Sequence, residues 1–390
     1  MADYKKKLIR TTTIPLSLRE LLTGQLQYMS NYYDVIAISS GGEQFDMLLK
    51  EQKVRGYVVP FTRKTFSIIS DIKALFLLIR IFKKEKPFIV HSHTSKDGLL
   101  CMLAAWICRV PNRLYTIAGL ADIPGVRGFM LNQAEWLTFR CATKLYPISK
   151  NMMEIYLKRG IFHQGMFARS KAKVLLNGSS NGFDCEYFSK DNVHPEKIES
   201  LKKKLEIAEK DFVFCSIGRV VRDKGINELV KAFSLLTKEY TNIHLLMLGQ
   251  FENSLDPLFP ETLREIDTNK YIHYVGYQSD IRPFLFISNA LIHASYREGF
   301  GNVIAQAGLF DLPCIVTNIC GPNEIIIEGV NGNIIPRKDV NALYEKMKYY
   351  LENLDEVKRM GANSRELIVS RYQRKDIWDA LLKEYQSFEK

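Results

Sequence analysis

Two segments of the chain place charged side chains beside glycines where a helix is predicted to begin. In REGFGNVIAQ, Glu298 precedes a Gly-Phe-Gly run and Gln306 lies two turns into the following helix. In SIGRVVRDKG, Arg219, Arg222 and Lys224 lie between a predicted strand and a predicted helix. Helix N-termini present free backbone amides and a partial positive charge, which attract anions. The two segments therefore predict a site for a phosphorylated ligand.

The residue types at this predicted site indicate a particular ligand chemistry. Arg219 and Lys224 can neutralise the charge that develops on a departing diphosphate. Glu298 can accept hydrogen bonds from sugar hydroxyls, and Gln306 can donate to and accept from a diol such as ribose. Backbone groups complete the predicted donor-binding set: Gly218, Gly299, Phe300, Gly301, Asn302 and Val303. The alternative is that these charges are solvated, that Glu298 only favours a helix N-terminus and that Gln306 is a surface residue.

Short β-branched or aromatic runs alternate with helical patterns twice along the chain. Strands are predicted in the first half at Lys7–Thr13, Asp34–Ser39, Gly56–Val59, Phe88–Ser92, Arg113–Ile117, Lys144–Ile148 and Lys173–Leu176, and in the second at Phe212–Ile217, Ile243–Leu248, Ile272–Val275, Ala290–His293, Cys314–Thr317 and Gly332–Ile334. Helices are predicted at Leu16–Ser30, Phe66–Lys84, Gly98–Cys108, Asn132–Cys141, Ile226–Glu239, Ile281–Ser288, Val303–Phe310, Val340–Leu351, Asp355–Tyr372 and Lys375–Lys390. This alternation predicts an α/β protein with two mostly parallel sheets.

A chain of 390 residues is too long for one compact core and suits two domains. A Gly-, Ser- and Asn-rich stretch separates the two halves. We predict a Rossmann-like N-terminal domain over 1–178, a hinge and linker over 179–195, a Rossmann-like C-terminal domain over 196–370, and a terminal helix over 371–390 that packs back on the first domain. Ligands of open parallel sheets bind beyond the carboxyl ends of the strands, so two facing domains would form a cleft lined by these loops.

The positive charge is concentrated in the first half of the chain. Residues 1–170 contain 25 Lys and Arg against 12 Asp and Glu, whereas residues 171–390 contain 29 against 31. Such an asymmetry favours an anionic partner: a membrane, a nucleic acid or a phosphorylated ligand. A basic surface that is merely solvated is the alternative.

Cysteine usage and hydropathy indicate the cellular compartment in which the protein is expected. The seven cysteines form no CxxC pair, which favours free thiols in a reducing cytosol and argues against zinc. The N-terminal residues lack the apolar core of a signal peptide. The longest apolar run, Gly98–Cys108, is too short to cross a bilayer. We expect a cytoplasmic protein.

Four motifs together resemble one enzyme family. They are SIGRVVRDKG, YREGFGNVIAQAG, DLPCIVTNICGPNEIIIEGVNG and LLNGSSNGFDCEYF, and they resemble the retaining glycosyltransferases of family 4, which have the two-domain GT-B fold. The resemblance covers nearly the whole chain, and VHSHTSKDGLLCMLAA is similar to the branch that makes bacterial capsule, O-antigen and lipid-linked oligosaccharides. It implies transfer of a hexose or N-acetylhexosamine from a nucleotide sugar, expected to be a UDP-sugar, to a lipid-linked or growing surface glycan.

The same resemblance implies roles for individual residues. Arg219 and Lys224 would bind the donor diphosphate, and Glu298 would contact the donor sugar beside the reacting carbon. The chain departs from the family pattern at Gln306, where a second glutamate normally binds the ribose, and at Ala118, where many relatives carry a histidine. At the first departure, a neutral amide can still bind the diol but lacks the charge-assisted strength of a carboxylate. No DxD motif occurs, and we expect catalysis without a metal or other cofactor.

The acceptor is expected in the first domain. HSHTSKDG follows a predicted strand and opens a helix, which places His93, Thr94 and Lys96 at a second anion-ready position. The stretch from Arg63 to Lys86 mixes basic and apolar residues and could rest on anionic headgroups of the inner membrane face. For His93 a structural role is the alternative, and for the stretch a crossover helix packed on the sheet.

Two other function classes remain open at this stage. A nucleotide-sugar epimerase or a phosphorylase could share the GT-B architecture. A non-catalytic protein that binds polysaccharide, nucleic acid or another anionic ligand could also retain the fold. The departures from the family pattern at Gln306 and Ala118 are compatible with such a protein. We do not expect nucleic acid to be a partner, and UDP binding would separate these classes.

Overall fold

The computed structural model describes residues 5–62, 67–119, 125–160, 169–252 and 256–389. The chain divides into two compact units. The first comprises Met1–Gly182 and Arg374–Lys390, and the second comprises Phe183–Gln373. The first border therefore falls inside the stretch 179–195 that the sequence indicates as a linker.

The first unit is built on a six-stranded sheet. Its strands are β1 (Lys7–Thr11), β2 (Asp34–Ser39), β3 (Arg55–Val58), β4 (Ile89–Ser92), β5 (Asn112–Ile117) and β6 (Lys144–Pro147). All neighbours pair in parallel, in the order β3-β2-β1-β4-β5-β6. Leu8 of β1 lies beside Val35 of β2 and Ile89 of β4. Such nearly continuous apolar strands suit a sheet covered by helices on both faces.

Helices connect these strands and cover the sheet. They are α1 (Pro15–Leu21), α2 (Gln25–Ser30), α3 (Glu43–Gln52), α4 (Ile68–Glu85), α5 (Ser95–Ile107), α6 (Gly125–Cys141) and α7 (Lys150–Lys158). On one side of the sheet, α4, α5 and α6 pack side by side. The helix predicted over Leu16–Ser30 is two helices: α1 ends at Leu21, and Gly24, with a φ of +77°, is the N-cap of α2.

The second unit repeats this architecture. Its strands are β7 (Phe212–Ile217), β8 (Ile243–Leu248), β9 (Ile272–Gly276), β10 (Ala290–His293), β11 (Cys314–Thr317) and β12 (Gly332–Ile335). Their order is β12-β11-β10-β7-β8-β9, again parallel. Counted from the first strand of each unit, both sheets have the 3-2-1-4-5-6 order of the nucleotide-binding Rossmann fold. The predicted α/β fold with two Rossmann-like domains is confirmed.

The helices of the second unit and the end of the chain complete the fold. They are α8 (Pro195–Lys204), α9 (Ile226–Leu236), α10 (Pro260–Thr268), α11 (Arg282–Phe286), α12 (Asn302–Gly308), α13 (Pro322–Ile325), α14 (Val340–Glu352), α15 (Leu354–Tyr372) and α16 (Arg374–Ser387). Helix α16 belongs to the first unit, where Leu381, Leu382 and Tyr385 join the core around Leu8 and Leu26.

One predicted strand is wrong. Residues Lys173–Leu176 form no strand; the chain makes a single bridge between Ala172 and Leu145. Leu176 has a φ of +50°, which turns the backbone away from an extended path. The predicted helix over Phe66–Lys84 is α4, and its first residue, Phe66, lies outside the described residues. Within the described ranges, no helix combines the length and apolarity that crossing a bilayer requires.

Each sheet has one point where the strand order reverses. It lies between β1 and β4 in the first unit and between β7 and β10 in the second. At such a point the loops that leave two adjacent strands lead to opposite faces, which opens a crevice where ligands of this fold bind. The predicted site residues Arg219, Lys224 and Glu298 follow β7 and β10, and His93 and Thr94 follow β4.

Candidate functional site

The loop after β7 packs against the end of β10 through a glycine. Gly225 has a φ of +68°, and a Cβ built on it would lie 2.1 Å from the carbonyl oxygen of Ala294. The backbone N–H of Tyr296 donates to the Asp223 carbonyl oxygen at 2.8 Å. The Ser295 hydroxyl donates to the same oxygen at 3.2 Å. The two loops are therefore held together by backbone contacts that require no ligand.

This packing brings Lys224 and Glu298 into direct contact. Lys224 Nζ donates a short hydrogen bond to Glu298 Oε1. His293 Nε2, at the last residue of β10, lies 3.2 Å from the same oxygen. All three side chains are largely buried, so solvent screens their interaction weakly. The sequence indicated Lys224 and Glu298 as separate ligand contacts, whereas the structure joins them and adds His293.

Glu298 is ionised at neutral pH. Burial alone would raise the pKa of its carboxyl group, but the contact with His293 and the charge of Lys224 outweigh burial and lower that pKa to about 2. A carboxylate with so low a pKa is a weak proton acceptor. Glu298 is therefore suited to accepting hydrogen bonds from a ligand and poorly suited to acting as a general base.

Arg219 lies beside this pair and is held by two acids. Its Nη1 donates to Glu252 Oε2 at 2.7 Å, and its Nη2 is 3.7 Å from Asp223 Oδ2. Burial would lower the pKa of the Arg219 guanidinium, but Glu252, Asp223 and the more distant Glu298 raise it above its usual value. Arg219 thus remains a cation whose side chain is still partly exposed to a ligand.

The loop after β7, with Arg219, Arg222 and Lys224, is called the cationic loop here. The sequence analysis did not predict the acids that surround it. Asp256 accepts from Arg222 Nε at 3.0 Å and from the backbone N–H of Asp223 at 2.7 Å. Asp223 accepts from Arg297 Nη2 at 2.9 Å. These bonds orient the loop and partly neutralise it. The sequence signal for them was the presence of acids in these loops: Asp223 after β7, and Glu252 and Asp256 after β8.

Helix α12 presents the remaining predicted donor residues. Gly301, with a φ of +95°, precedes its first turn, Asn302 is exposed and Val303 is half-buried. Gln306 is half-buried, and its side-chain amide forms no hydrogen bond with the part of the chain that the structure describes. Its amide is therefore available to a ligand.

Phe300 contributes backbone rather than side-chain chemistry. Its ring is 4% exposed and stacks near Phe183, with the ring of Tyr372 edge-on at 5.3 Å. Gly321, after β11, approaches so closely that a Cβ there would lie 2.9 Å from the carbonyl oxygens of Gly299 and Phe300. The Gly-Phe-Gly turn is therefore fixed from both sides, and its conformation is set before any ligand binds.

In the first unit, the β1 and β4 loops are linked by the buried carboxylate of Asp97. This residue accepts from Thr11 Oγ1 at 2.6 Å and from the backbone N–H of Thr94 at 3.0 Å, and it forms a short bond with Thr94 Oγ1. Burial raises the pKa of Asp97 to about 6 against the hydrogen bonds from Thr11 and Thr94. Thr94 is the N-cap of α5, so its hydroxyl is occupied in a capping box.

The other residues predicted to bind the acceptor also have partners. Lys96 Nζ lies 2.8 Å from Asp71 Oδ1 and donates to Thr62 Oγ1 at 3.0 Å. His93 is fully buried at the end of β4, where its Nε2 faces the guanidinium of Arg10. Sequence reasoning missed Arg10, although a charged residue inside the apolar strand KLIRT is a visible signal. Ala118 is half-buried after β5.

The described residues offer neither a metal cluster nor a disulfide. These contain no group of three or more His, Cys, Asp or Glu side chains placed to hold a metal ion. The described residues contain no disulfide, and burial raises the pKa of the fully buried thiols of Cys101, Cys215 and Cys314 above the usual value.

Comparison with known proteins establishes the family. Residues 197–367 match the family model for glycosyl transferases group 1, and residues 19–148 match glycosyl transferase 4-like. The chain is 32% identical over 391 residues to the capsular polysaccharide biosynthesis glycosyltransferase CapM of Staphylococcus aureus, an alignment that covers 98% of this chain and 97% of that protein. The chain is a family 4 glycosyltransferase. It is also 28% identical, over 77% of its length and 78% of the relative, to an Escherichia coli UDP-Gal:alpha-D-GlcNAc-diphosphoundecaprenol alpha-1,3-galactosyltransferase.

Solved structures agree on the fold of this glycosyltransferase. A glycosyltransferase from Rickettsia africae has a TM-score of 0.78 at 22% identity, with 99% of each chain covered. Anabaena HepE in complex with UDP and glucose has a TM-score of 0.80 at 18% identity, covering 98% of this chain and all of that one. The GT-B assignment of the two Rossmann-like units is confirmed.

Proposed function

We propose that this enzyme transfers a hexose or N-acetylhexosamine, with retention of configuration, from a UDP-sugar to a lipid-linked or growing surface glycan. The observation that carries the proposal is the Lys224–Glu298–His293 cluster beside Arg219 at the strand-order reversal of the second sheet. The E. coli relative, whose name specifies a UDP-sugar donor and a diphosphoundecaprenol-linked acceptor, supports the choice of substrates.

The cations of the β7 loop stabilise the leaving group in this mechanism. As the bond between the sugar C1 and the diphosphate oxygen breaks, Arg219 and Lys224 neutralise the charge that develops on the diphosphate. Such preorganised stabilisation typically accounts for factors of about 100 to 1,000 in turnover for each donor group. The bond from C1 to the acceptor oxygen forms on the same face. The acceptor proton passes to the departing diphosphate oxygen, which balances the step without a protein base.

Glu298 orients the donor sugar rather than removing a proton. Its carboxylate accepts from Lys224 and lies against His293, and it retains lone pairs for sugar hydroxyls. A pKa of about 2 keeps it anionic and makes it a weak base. Gln306 would bind the ribose diol with its free amide. Because a neutral amide forms weaker bonds than a carboxylate, this contact would hold the nucleotide less firmly than the family's second glutamate. The charges in this scheme come from side chains, and no metal ion or other cofactor is invoked.

The acceptor would bind at the β1 and β4 loops of the first unit. His93 and Thr94 lie at the strand-order reversal of that sheet, and Lys96 follows in the first turn of α5. Thr94 and Lys96 are engaged by Asp97 and Asp71 respectively, so they would shape this region while keeping those bonds.

We propose that the enzyme acts at a membrane surface. The five most exposed large apolar side chains in the described chain all lie on α4 and α6: Ile68, Ile69, Phe76, Val126 and Phe129, with exposures from 64% to 78%. Exposed cations lie on α4 and α6 or shortly after the ends of α4 and α5: Lys73, Arg80, Lys83, Lys84, Lys86, Arg109 and Arg140. Apolar side chains flanked by cations suit the interface of an anionic bilayer. We propose peripheral binding at the cytoplasmic face, where a lipid-linked acceptor would be presented.

The test is turnover of UDP-sugars with a lipid-diphosphate-linked saccharide acceptor. We expect Lys224→Ala to lower kcat about 100-fold or more while the KM for the donor changes much less, since the charge of Lys224 matters most as the diphosphate leaves. Lys231→Ala is the matched control, because Lys231 is exposed on α9. Equal kcat for Lys224→Ala and the parent would contradict the proposal.

The acceptor requirement separates this proposal from the other reactions of the fold. A nucleotide-sugar epimerase would convert the donor without any acceptor, and a phosphorylase would require inorganic phosphate. Product with inverted anomeric configuration would refute retention while leaving glycosyl transfer intact.

A further inference from the structure

A fully buried arginine lies at the carboxyl edge of the first sheet. Arg10, the fourth residue of β1, has no exposed surface. Its Nη2 donates to Gln25 Oε1 at 2.5 Å, and its Nε and Nη2 lie 3.1 and 2.8 Å from Nε2 of His93. Within the described residues, no carboxylate lies within ion-pair distance of Arg10. Leaving a buried charge without a counter-charge costs several kcal/mol, so such a charge calls for an anion.

The contact with Arg10 determines which nitrogen of His93 carries the proton. An arginine has only donors, so Nε2 of His93 must accept and must be unprotonated. Burial, followed by the charge of Arg10, holds the pKa of His93 well below 6.5, which keeps the ring neutral. The single ring proton is therefore on Nδ1. The Nδ1–H of His93 is therefore a fixed donor, because Arg10 determines the tautomer of the ring.

Two buried donors of this pair have no partner among the described residues. They are Nη1 of Arg10 and Nδ1 of His93. The neighbouring His91 differs, because its Nδ1 lies 2.6 Å from the Tyr385 hydroxyl and its Nε2 lies 2.8 Å from Thr116 Oγ1. His91 is a satisfied core residue, whereas His93 retains an unused donor. Buried donors without a protein partner are rare in native proteins and are usually satisfied by a bound water, ion or ligand. The uncompensated charge of Arg10 favours an anion among these.

His93 borders a small cavity at this edge. The cavity measures about 20 Å³, and its polar lining includes His93, Thr116, Ser179 and Ser180. That volume accommodates about one oxygen atom. Asp97, the nearest acid along the chain, is bonded to Thr11, and Thr11 and Arg10 point to opposite faces of the sheet. The cavity therefore lies on the face that carries an unneutralised positive charge.

We propose that His93, oriented by Arg10, binds a phosphoryl oxygen of the acceptor through its Nδ1–H. The phosphoryl group supplies the negative charge that Arg10 lacks, and one oxygen fits the cavity. A sugar hydroxyl would satisfy the donor but leave the charge of Arg10 uncompensated. Arg10 is a positioning residue in this scheme. The inference rests on the proposed glycosyl transfer to a lipid-linked acceptor and places the acceptor's diphosphate in the first unit.

The test is nuclear magnetic resonance of the full chain with ¹⁵N-labelled histidine. His93 is identified among the seven histidines by the signals that disappear in His93→Asn. We expect a neutral ring protonated on Nδ1 at neutral pH. With UDP at saturation to occupy the second unit, inorganic pyrophosphate and geranyl diphosphate are then added separately. Both should shift the His93 signals, and geranyl diphosphate should do so at lower concentration because its chain adds apolar contact.

Each other outcome overturns part of the assignment. A His93 ring protonated on Nε2, or no shift with either diphosphate, removes the phosphoryl site. Shifts that UDP alone produces would assign the effect to the nucleotide. Equal responses to the two probes would assign the site to free phosphate anions rather than to a lipid acceptor. If the parent transfers no sugar, the proposed function is refuted, whereas the titration with the two diphosphates still tests the phosphoryl site at His93.

Matched variants connect the site to turnover. The side-chain nitrogen of asparagine takes the place of Nδ1, whereas that of glutamine takes the place of Nε2. We expect His93→Gln to raise the KM for the acceptor about tenfold or more, as loss of a charge-assisted hydrogen bond predicts. His93→Asn should restore most of the affinity, and the KM for the donor should change in neither. Equal acceptor KM values for the two variants would contradict a donor at Nδ1.

Discussion

Gly225 lies directly against the carbonyl oxygen of Ala294, and a Cβ on Gly225 would be only 2.1 Å from that oxygen. This approach brings the end of the cationic loop to the end of β10, where Glu298 follows five residues after His293. A glycine is needed for two separate reasons: the left-handed φ of +68° and the space that a side chain would fill. The contact between Lys224 and Glu298 depends on this approach.

Replacing Gly225 should therefore separate the two loops. We expect Gly225→Ala to lower the free energy of unfolding of the second unit by about 3 kcal/mol, because strain at positive φ and overpacking add. Gly329→Ala is the matched control, since Gly329 has a φ of +71° and no atom within 4 Å of an added Cβ. That variant should lose about 1 kcal/mol. Chemical denaturation measures both, and equal losses would show that the close approach to Ala294 is unimportant.

The low pKa of Glu298 predicts how stability depends on pH. Its folded-state pKa of about 2 lies below the ordinary value of 4.5, so ionised Glu298 stabilises the fold fully above about pH 4.5. This contribution, about 3 kcal/mol, should diminish as the pH falls from there towards 2. We expect the difference in unfolding free energy between the parent and Glu298→Gln to shrink over that interval. A difference that does not change with pH would mean that the Lys224 and His293 contacts do not hold the carboxylate.

The contrast between sequence and structure is clearest at this site. Glycines and charges mark the loops after β7 and β10, because a tight turn and a helix N-terminus each require particular residue types. No local sequence pattern indicates the bond between Lys224 and Glu298, because it forms only when two loops 74 residues apart meet at Gly225. His293 was predicted only as a strand residue. Its position at the carboxyl end of a buried strand was the available signal.

In the fold, too, local sequence predicts some elements, whereas others depend on contacts between distant parts of the chain. Buried runs such as Ile243–Leu248 predict strands well because both faces of the sheet are covered. The run Lys173–Leu176 has a strand-like composition but meets β6 at one point only, where the Lys173 N–H donates to the Leu145 carbonyl oxygen, and only tertiary context decides that. Position 24 requires a glycine, because its φ is positive and the ring of Trp378, from α16, fills the space where a Cβ would lie. Contacts between residues so distant in sequence cannot be found from local pattern.

Nucleotide affinity should respond to Gln306. We expect Gln306→Glu to tighten UDP binding about three- to tenfold, because a carboxylate forms charge-assisted hydrogen bonds with the ribose diol. Asn242→Asp is the control, as it adds a carboxylate at an exposed position directly before β8, outside the predicted donor-binding set. Isothermal titration calorimetry with UDP measures both. Unchanged or weaker binding in Gln306→Glu would count against the ribose assignment.

Membrane binding should depend on the exposed apolar side chains of α4 and α6. We expect the double change of Phe76 and Phe129 to serine to reduce sedimentation with phosphatidylglycerol-containing vesicles about tenfold or more, since each ring contributes burial in the interface. Leu354→Ser is the control, because Leu354 is 51% exposed in the second unit. Binding that persists in the double variant would exclude this surface, and self-association of the parent that the variant loses would indicate a protein partner instead.

Helix α16 has a consequence for how the enzyme is made. Leu381, Leu382 and Tyr385 lie in the same core as Leu8 and Leu26, so the first unit is discontinuous in sequence. During synthesis, the second unit has all its residues outside the ribosome before the first can finish its core. The N-terminal sheet therefore stays incompletely covered until residues 374–390 emerge, and over that interval its core around Leu8 and Leu26 is open to chaperones and proteases.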